Sequence, residues 1–233
     1  MATQHVVAAL ALVHLAAGCS QPTDDASAAP NSTNATASAP ATPAAEAGDI
    51  KLVVAFGDSL YAGYNLAPGE GFAPVLERAL KGRGIAAQVV NAGVSGDTSA
   101  GGRGRLAFVL DGLSRKPDLV IVGLGANDML RGLEPSRTRE NLDAILAELK
   151  KRGIPVMLTG MVAAPNMGAD YAASFNGIYP DLAKKYGAPL YPFFLDGVIT
   201  NQSLLLGDGI HPNPQGVKTV VAKVEPMVSA ALE

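Results

Sequence analysis

From residue 50 onward, short apolar runs alternate with longer segments in which apolar side chains recur every three or four positions. Residues 52–60, Leu52-Val53-Val54-Ala55-Phe56-Gly57-Asp58-Ser59-Leu60, read as a buried strand broken by a glycine, and Ser59 is the first nucleophilic oxygen after the break. Phe72, Val75, Leu76, Ala79 and Leu80 then share one helical face ahead of Gly82 and Gly84, which predicts a helix over 72–81. A second strand is predicted over 85–90, a glycine-rich loop over 91–104, a helix over 106–113 and a third strand over 119–124. Leu142, Ile145, Leu146 and Leu149 set the period of a helix over 135–151, which Gly153 ends before a fourth strand at 155–159. A helix over 171–186, a short strand over 189–191 and a closing helix over 214–232 complete the pattern.

Apolar strands alternating with amphipathic helices imply an α/β fold whose parallel sheet is covered on both faces. With right-handed crossovers and about five strands, the expected architecture is a flavodoxin-like three-layer sandwich. Such sheets bind ligands beyond the carboxyl ends of their strands. Three of those ends carry polar loops here: Gly57-Asp58-Ser59, Asn91 through Thr98, and Gly123 through Asp128. They are expected to converge.

The front of the chain has a different character. Residues 6–18 form an apolar run of signal-peptide length that ends Leu15-Ala16-Ala17-Gly18-Cys19. This ending resembles the lipobox of bacterial lipoproteins, which implies cleavage before Cys19 and its lipidation. It departs from that pattern in having Ala16 where leucine is usual, and no Lys or Arg occurs in the first five residues of the chain. An ordinary signal peptide with an incidental cysteine is the alternative. Residues 20–48 are almost wholly Ala, Pro, Thr, Ser and Asn, and cannot bury enough apolar surface to offset the entropy of ordering. The expected organisation is a signal peptide at 1–18, a disordered tether at 19–48 and a folded domain at 49–233. The expected location is the periplasm or the outer membrane of a bacterium, with membrane contact through the lipid on Cys19.

Composition narrows the function. The chain of 233 residues is 48% hydrophobic and 17% charged, enough for one sizeable core. A net charge of -3 without a basic cluster argues against nucleic acid as a partner. The single cysteine excludes an intrachain disulfide and a thiolate metal cluster. Of three histidines, only His211 lies in the folded part, so any imidazole chemistry there runs through it.

A serine hydroxyl becomes an effective nucleophile when a base takes its proton and a carboxylate orients that base. Ser59, His211 and Asp208 can fill these roles. The backbone N–H groups of Ser59 and Gly96 and the amide of Asn127 can serve as oxyanion donors. Ser95 is a rival nucleophile, but it sits in a glycine-rich loop and not at a strand end. Asp58, Asp97 and Asp128 read as loop-shaping carboxylates. Gly123-x-Gly125 lacks the third glycine of a nucleotide loop.

Gly57-Asp58-Ser59-Leu60, Ser95-Gly96-Asp97-Thr98, Gly125-Ala126-Asn127-Asp128 and Asp208-Gly209-Ile210-His211-Pro212-Asn213 resemble, in this order, the four blocks of the SGNH (GDSL) hydrolase family. Leu130-Arg131-Gly132, Ile178-Tyr179-Pro180 and Pro192-Phe193-Phe194 are similar to its bacterial thioesterase, lysophospholipase and arylesterase branch. The resemblance implies a Ser-His-Asp esterase without metal or organic cofactor, acting on a small acyl-ester or lysophospholipid substrate. Met161, Val162 and Met167, after the fourth strand, are expected in the substrate wall, and a monomer is expected. Gly93 stands where the branch often has serine, with its expected effect on loop packing. Two alternatives stay open: a carbohydrate O-acetylesterase of the same fold, and a surface lipoprotein that binds without catalysis.

Overall fold

The computed structural model describes residues 50–233, so the signal segment, the tether and Cys19 lie outside the described residues. Among the described residues five strands, β1 (Lys51–Gly57), β2 (Ala87–Gly93), β3 (Leu119–Gly123), β4 (Val156–Thr159) and β5 (Leu190–Tyr191), form one sheet in the order β2-β1-β3-β4-β5. Every neighbouring pair is parallel. Eight helices accompany them within the same residues: α1 (Ser59–Ala62), α2 (Phe72–Gly82), α3 (Ser99–Asp111), α4 (Ala126–Leu130), α5 (Pro135–Lys151), α6 (Ala169–Asn176), α7 (Ile178–Tyr186) and α8 (Pro214–Leu232). This is the flavodoxin-like strand order, and its direction reverses between β1 and β3.

Strand geometry sends alternate side chains to opposite faces, so each apolar strand feeds two cores. Val53 and Ala55 of β1 and Leu119 and Ile121 of β3 pack beneath α2 and α8 with Leu76, Leu80, Val220 and Val224. Val54, Phe56, Val120 and Val122 face the other way, against Leu106 of α3 and Leu142, Ile145, Leu146 and Leu149 of α5. Each such fully buried Val, Leu, Ile or Phe side chain is worth roughly 1.5–3 kcal/mol of transfer free energy.

The structure departs from the pattern in four places. Strand β2 runs three residues beyond its predicted end, to Gly93. The predicted loop 91–104 contains the start of α3: Thr98 caps the helix by accepting from Gly101 N at 3.2 Å. Glycines mask that helix in the sequence because close packing demands them. A β-carbon on Gly102 would lie 2.3 Å from Leu124 Cδ1, and one on Gly101 would lie 2.1 Å from Asp97 Oδ1. The predicted helix 171–186 is two helices, α6 and α7, broken at Gly177. Finally, α1 and α4 are too short, at 4 and 5 residues, to show a helical period.

One aromatic ring explains two of the glycines in the motifs. Tyr61 of α1 lies across the ends of β1 and β3, where a β-carbon on Gly57 or Gly123 would come within 2.4 or 2.3 Å of its ring. Its hydroxyl pairs with Thr159 Oγ1 at the end of β4, 2.7 Å away. Gly93 has a similar part at β2, since a β-carbon there would lie 2.2 Å from Ala62 N. Helix α1, and with it Ser59, is thus seated directly on the carboxyl edge of the sheet.

Candidate active site

Ser59 opens α1 immediately after β1. The preceding Asp58 is the N-cap, its Oδ1 accepting from Leu60 N at 3.0 Å. From the far end of the chain, His211 brings Nε2 to 2.9 Å from Ser59 Oγ. His211 Nδ1 in turn lies 2.7 Å from Asp208 Oδ2, and Asp208 Oδ1 accepts from the backbone N–H groups of Ile210 and His211 at 2.9 and 3.0 Å. Those two backbone bonds, with the imidazole contact, hold the Asp208 carboxyl down to about 2. An ionised Asp208 orients Nδ1 as the protonated nitrogen and leaves Nε2 facing the serine. The loop stays in place because Asn213 caps α8 while its amide donates to the carbonyls of Ser203 and Leu205 at 2.8 and 3.2 Å. The ring of Tyr64 packs on that of His211 with centroids 4.4 Å apart.

The second and third blocks face this triad. Asp97 N donates to Val94 O at 3.1 Å, closing a turn whose third residue, Gly96, has φ +81. That left-handed conformation is the one a type II turn requires, and glycine adopts it without strain. Gly125, at φ +115, precedes α4, and a β-carbon there would lie 2.3 Å from the Tyr179 hydroxyl. Asn127 of α4 donates Nδ2 to Asp97 O at 2.9 Å, so one amide proton ties the two blocks together and leaves the other for a ligand. Asp128 accepts from Ser99 N, Ser99 Oγ and Thr138 Oγ1 at 2.7, 2.5 and 3.2 Å.

Ser59, Gly96, Asn127 and His211 all line one cleft of about 620 Å³. Its other walls are apolar, from Leu60, Met129, Ala163, Phe193, Leu195 and Ile199. Met161 and Val162 line it, whereas Met167 does not. Met167 ends a 3-10 turn over Pro165–Met167, with its N–H on Ala164 O, and packs against the core between the sheet and α5. Ser95 also lines the cleft, but His211 Nε2 pairs with Ser59. Among the described residues, no group of three or more His, Cys, Asp or Glu side chains comes together as a metal site.

Sequence reasoning missed two supports of the site. Arg105 donates to Asp97 Oδ2, Ala92 O and Gly57 O at 2.6, 2.8 and 2.9 Å, so one guanidinium joins the first two blocks from below. Its only trace in the sequence was an arginine, one of two with Arg103, at the end of the stretch that reads as a glycine-rich loop. Tyr64, which covers His211, left no signal at all.

Asp58 is 1% exposed, and burial, reinforced by the charges of Asp97 and Asp128, pushes its carboxyl up to about 7. The unfolded chain releases this proton near 3.8, so between pH 4 and 7 the folded state holds a proton that the unfolded state has lost. Stability therefore falls as pH rises through that window, by up to about 4 kcal/mol, and is flat in this respect above it. Asp58→Asn keeps the acceptor for Leu60 N without the titration. Its thermal midpoint is expected to vary less between pH 4 and 7 than that of the wild type; parallel curves would refute the assignment.

The pattern of the GDSL-like Lipase/Acylhydrolase family matches residues 55–218. Esterase TesA of Pseudomonas aeruginosa is 36% identical over 182 residues, which cover 76% of this chain and 90% of that protein. Arylesterase of Vibrio mimicus is 40% identical over 172 residues, 74% of this chain and 84% of its own. Among solved structures, AlinE4, an SGNH-hydrolase family esterase, is similar with a TM-score of 0.68 and 50% identity, covering 80% of this chain and 98% of that one. With that match spanning most of the described domain, the chain belongs to the GDSL-like lipase/acylhydrolase family, the SGNH hydrolases.

Proposed function

We propose that this ester hydrolase cleaves carboxylic esters or thioesters of apolar acyl chains through an acyl-enzyme on Ser59. The observation that carries the reading is the hydrogen-bonded chain Ser59, His211, Asp208 opening into an apolar cleft of about 620 Å³. His211 Nε2 takes the proton of Ser59 Oγ as that oxygen attacks the ester carbonyl carbon. The oxyanion that forms is met by the N–H groups of Ser59 and Gly96 and the free amide proton of Asn127. Each such donor is worth about 3 kcal/mol in the transition state. Collapse breaks the bond to the leaving oxygen or sulfur, which takes the proton back from His211. Water, activated by the same imidazole, then attacks the acyl-enzyme and releases the acid.

The cleft favours acyl chains over sugars. Its mouth carries Tyr64, Leu130, Val162 and Ile210, which are 40, 57, 42 and 42% exposed, an apolar rim that a polar glycan would not match. Rates across p-nitrophenyl esters of increasing chain length, lysophospholipids, acyl-CoA and acetylated sugars test this. Each methylene that the cleft buries can raise kcat/KM up to about fourfold, the equivalent of about 0.8 kcal/mol. Faster cleavage of sugar acetates than of any longer acyl ester would favour the O-acetylesterase reading, and no turnover of any of them would favour a binding module.

A further inference from the structure

Catalysis by an oxyanion site depends on donors standing at fixed separation before the charge forms. Here two of the three come from different elements, Gly96 from the turn after β2 and Asn127 from α4. Their spacing is therefore set by whatever holds the turn against the helix. Two side chains bond the turn's own carbonyls, both from α4 and its cap. Asn127 Nδ2 donates to Asp97 O at 2.9 Å, and Arg131, four residues on, donates Nη2 to Gly96 O at 2.7 Å. Residues four apart lie on one face of a helix, so the pair grips two successive carbonyls of the turn like two fingers.

We propose that Arg131 is a positioning residue that sets the spacing of the oxyanion donors Gly96 N–H and Asn127 Nδ2. The proposal rests on the reading of those groups as oxyanion donors.

Its chemistry singles it out. Among the described residues the Arg131 guanidinium makes no ion pair, and its side-chain hydrogen bond to Gly96 is the one it forms. The bond reaches a residue at φ +81, where glycine has the widest freedom of any residue to move. Asn127 alone gives the turn a single hydrogen bond, to Asp97 O, since its other amide proton is left for the substrate. Arg131 meets the Gly96 carbonyl from the exposed side, and so fixes the peptide that follows the donor without entering the cleft; it does not appear in the cleft's lining.

The test compares wild type, Arg131→Ala and Arg131→Lys on p-nitrophenyl butyrate, with affinity for an alkylboronic acid as a second readout. The boronic acid adds to the serine oxygen and places a hydroxyl where the oxyanion would sit. Deleting a donor outright costs on the order of 10²–10³ in kcat, so loosening two of them is expected to lower kcat about tenfold in Arg131→Ala. KM should change less than twofold, the boronate should bind about tenfold more weakly, and the thermal midpoint should hold. Arg131→Lys, which can reach the same carbonyl with one donor, should recover part of the loss, as should added guanidinium with Arg131→Ala. An unchanged kcat overturns the proposal, and so does a lower kcat with boronate affinity intact. Mass mapping after treatment with an organophosphonate separates the two levels: if wild-type Ser59 is not labelled, the underlying reading of the site has failed, whatever Arg131 does.

Discussion

Ser59→Ala is expected to lower kcat by about 10⁶, and His211→Ala by about as much. Replacing both should cost no more than either, because in a serine triad nucleophile and base act as one unit. Asp208→Ala is expected to cost less, about 10⁴, since it removes the group that orients the base and not the base itself. KM should stay near its wild-type value, because the apolar walls of the cleft are untouched. This chain makes the test unusually clean. Residues 50–233 contain a single histidine, so no neighbouring imidazole can take over from His211. Ser95 lines the same cleft as Ser59, yet it lacks a pairing with His211. The measurement is single-turnover and steady-state hydrolysis of p-nitrophenyl butyrate, with an unfolding curve for each variant. Residual activity of Ser59→Ala within a hundredfold of wild type would overturn its assignment as nucleophile.

The contrast between Ser59 and its supports shows what the sequence could convey. A strand period, a glycine and a serine are local features, so β1 and the residue it delivers were readable, as were α2, α5 and α8. The pairing of Ser59 with His211 spans 152 positions and was legible only through the single available imidazole and the family resemblance of the four blocks. Strand order could be expected through the fold type alone, since no local pattern distinguishes which strand lies beside β1. What stayed hidden shares one physical cause: residues whose part depends on a neighbour far away in the chain. Gly57 reads as the break after a strand and Gly123 as part of an incomplete nucleotide loop, whereas both leave room for the Tyr61 ring. Gly101 and Gly102 read as loop, whereas tertiary packing overrides their low helix propensity in α3. Met167 read as substrate wall by its place after β4, but it lies outside the cleft's lining and packs, partly buried, against the core.

Asp128→Ala is expected to destabilise the domain by about 3–4 kcal/mol and to lower kcat as well. Its carboxylate is 1% exposed and serves three donors: the backbone N–H and hydroxyl of Ser99 and the hydroxyl of Thr138. Ser99 and Thr138 are themselves fully buried, so without the carboxylate their donors lose a charged acceptor where water cannot replace it. Each stranded donor costs about 1–3 kcal/mol, with partial relaxation reducing the sum. For a domain of this size, the thermal midpoint should fall by roughly 10 °C. The loss reaches the site because Ser99 opens α3 two residues after Asp97, whose carbonyl holds the Asn127 amide. Asp128 follows Asn127 directly, so one side chain fastens α4 to the start of α3 while its neighbour spans the same gap one layer above. Asp128→Asn should recover part of the stability, because its Oδ1 can still accept from Ser99 N while its NH2 group donates to the hydroxyls of Ser99 and Thr138, which accept as well as donate. Thermal unfolding of both variants checks the first claim, and a fall of less than 3 °C for Asp128→Ala would sink it. If stability falls as expected while kcat at a temperature well below the midpoint is unchanged, the carboxylate shapes the fold alone, and the spacing of Gly96 and Asn127 does not pass through it.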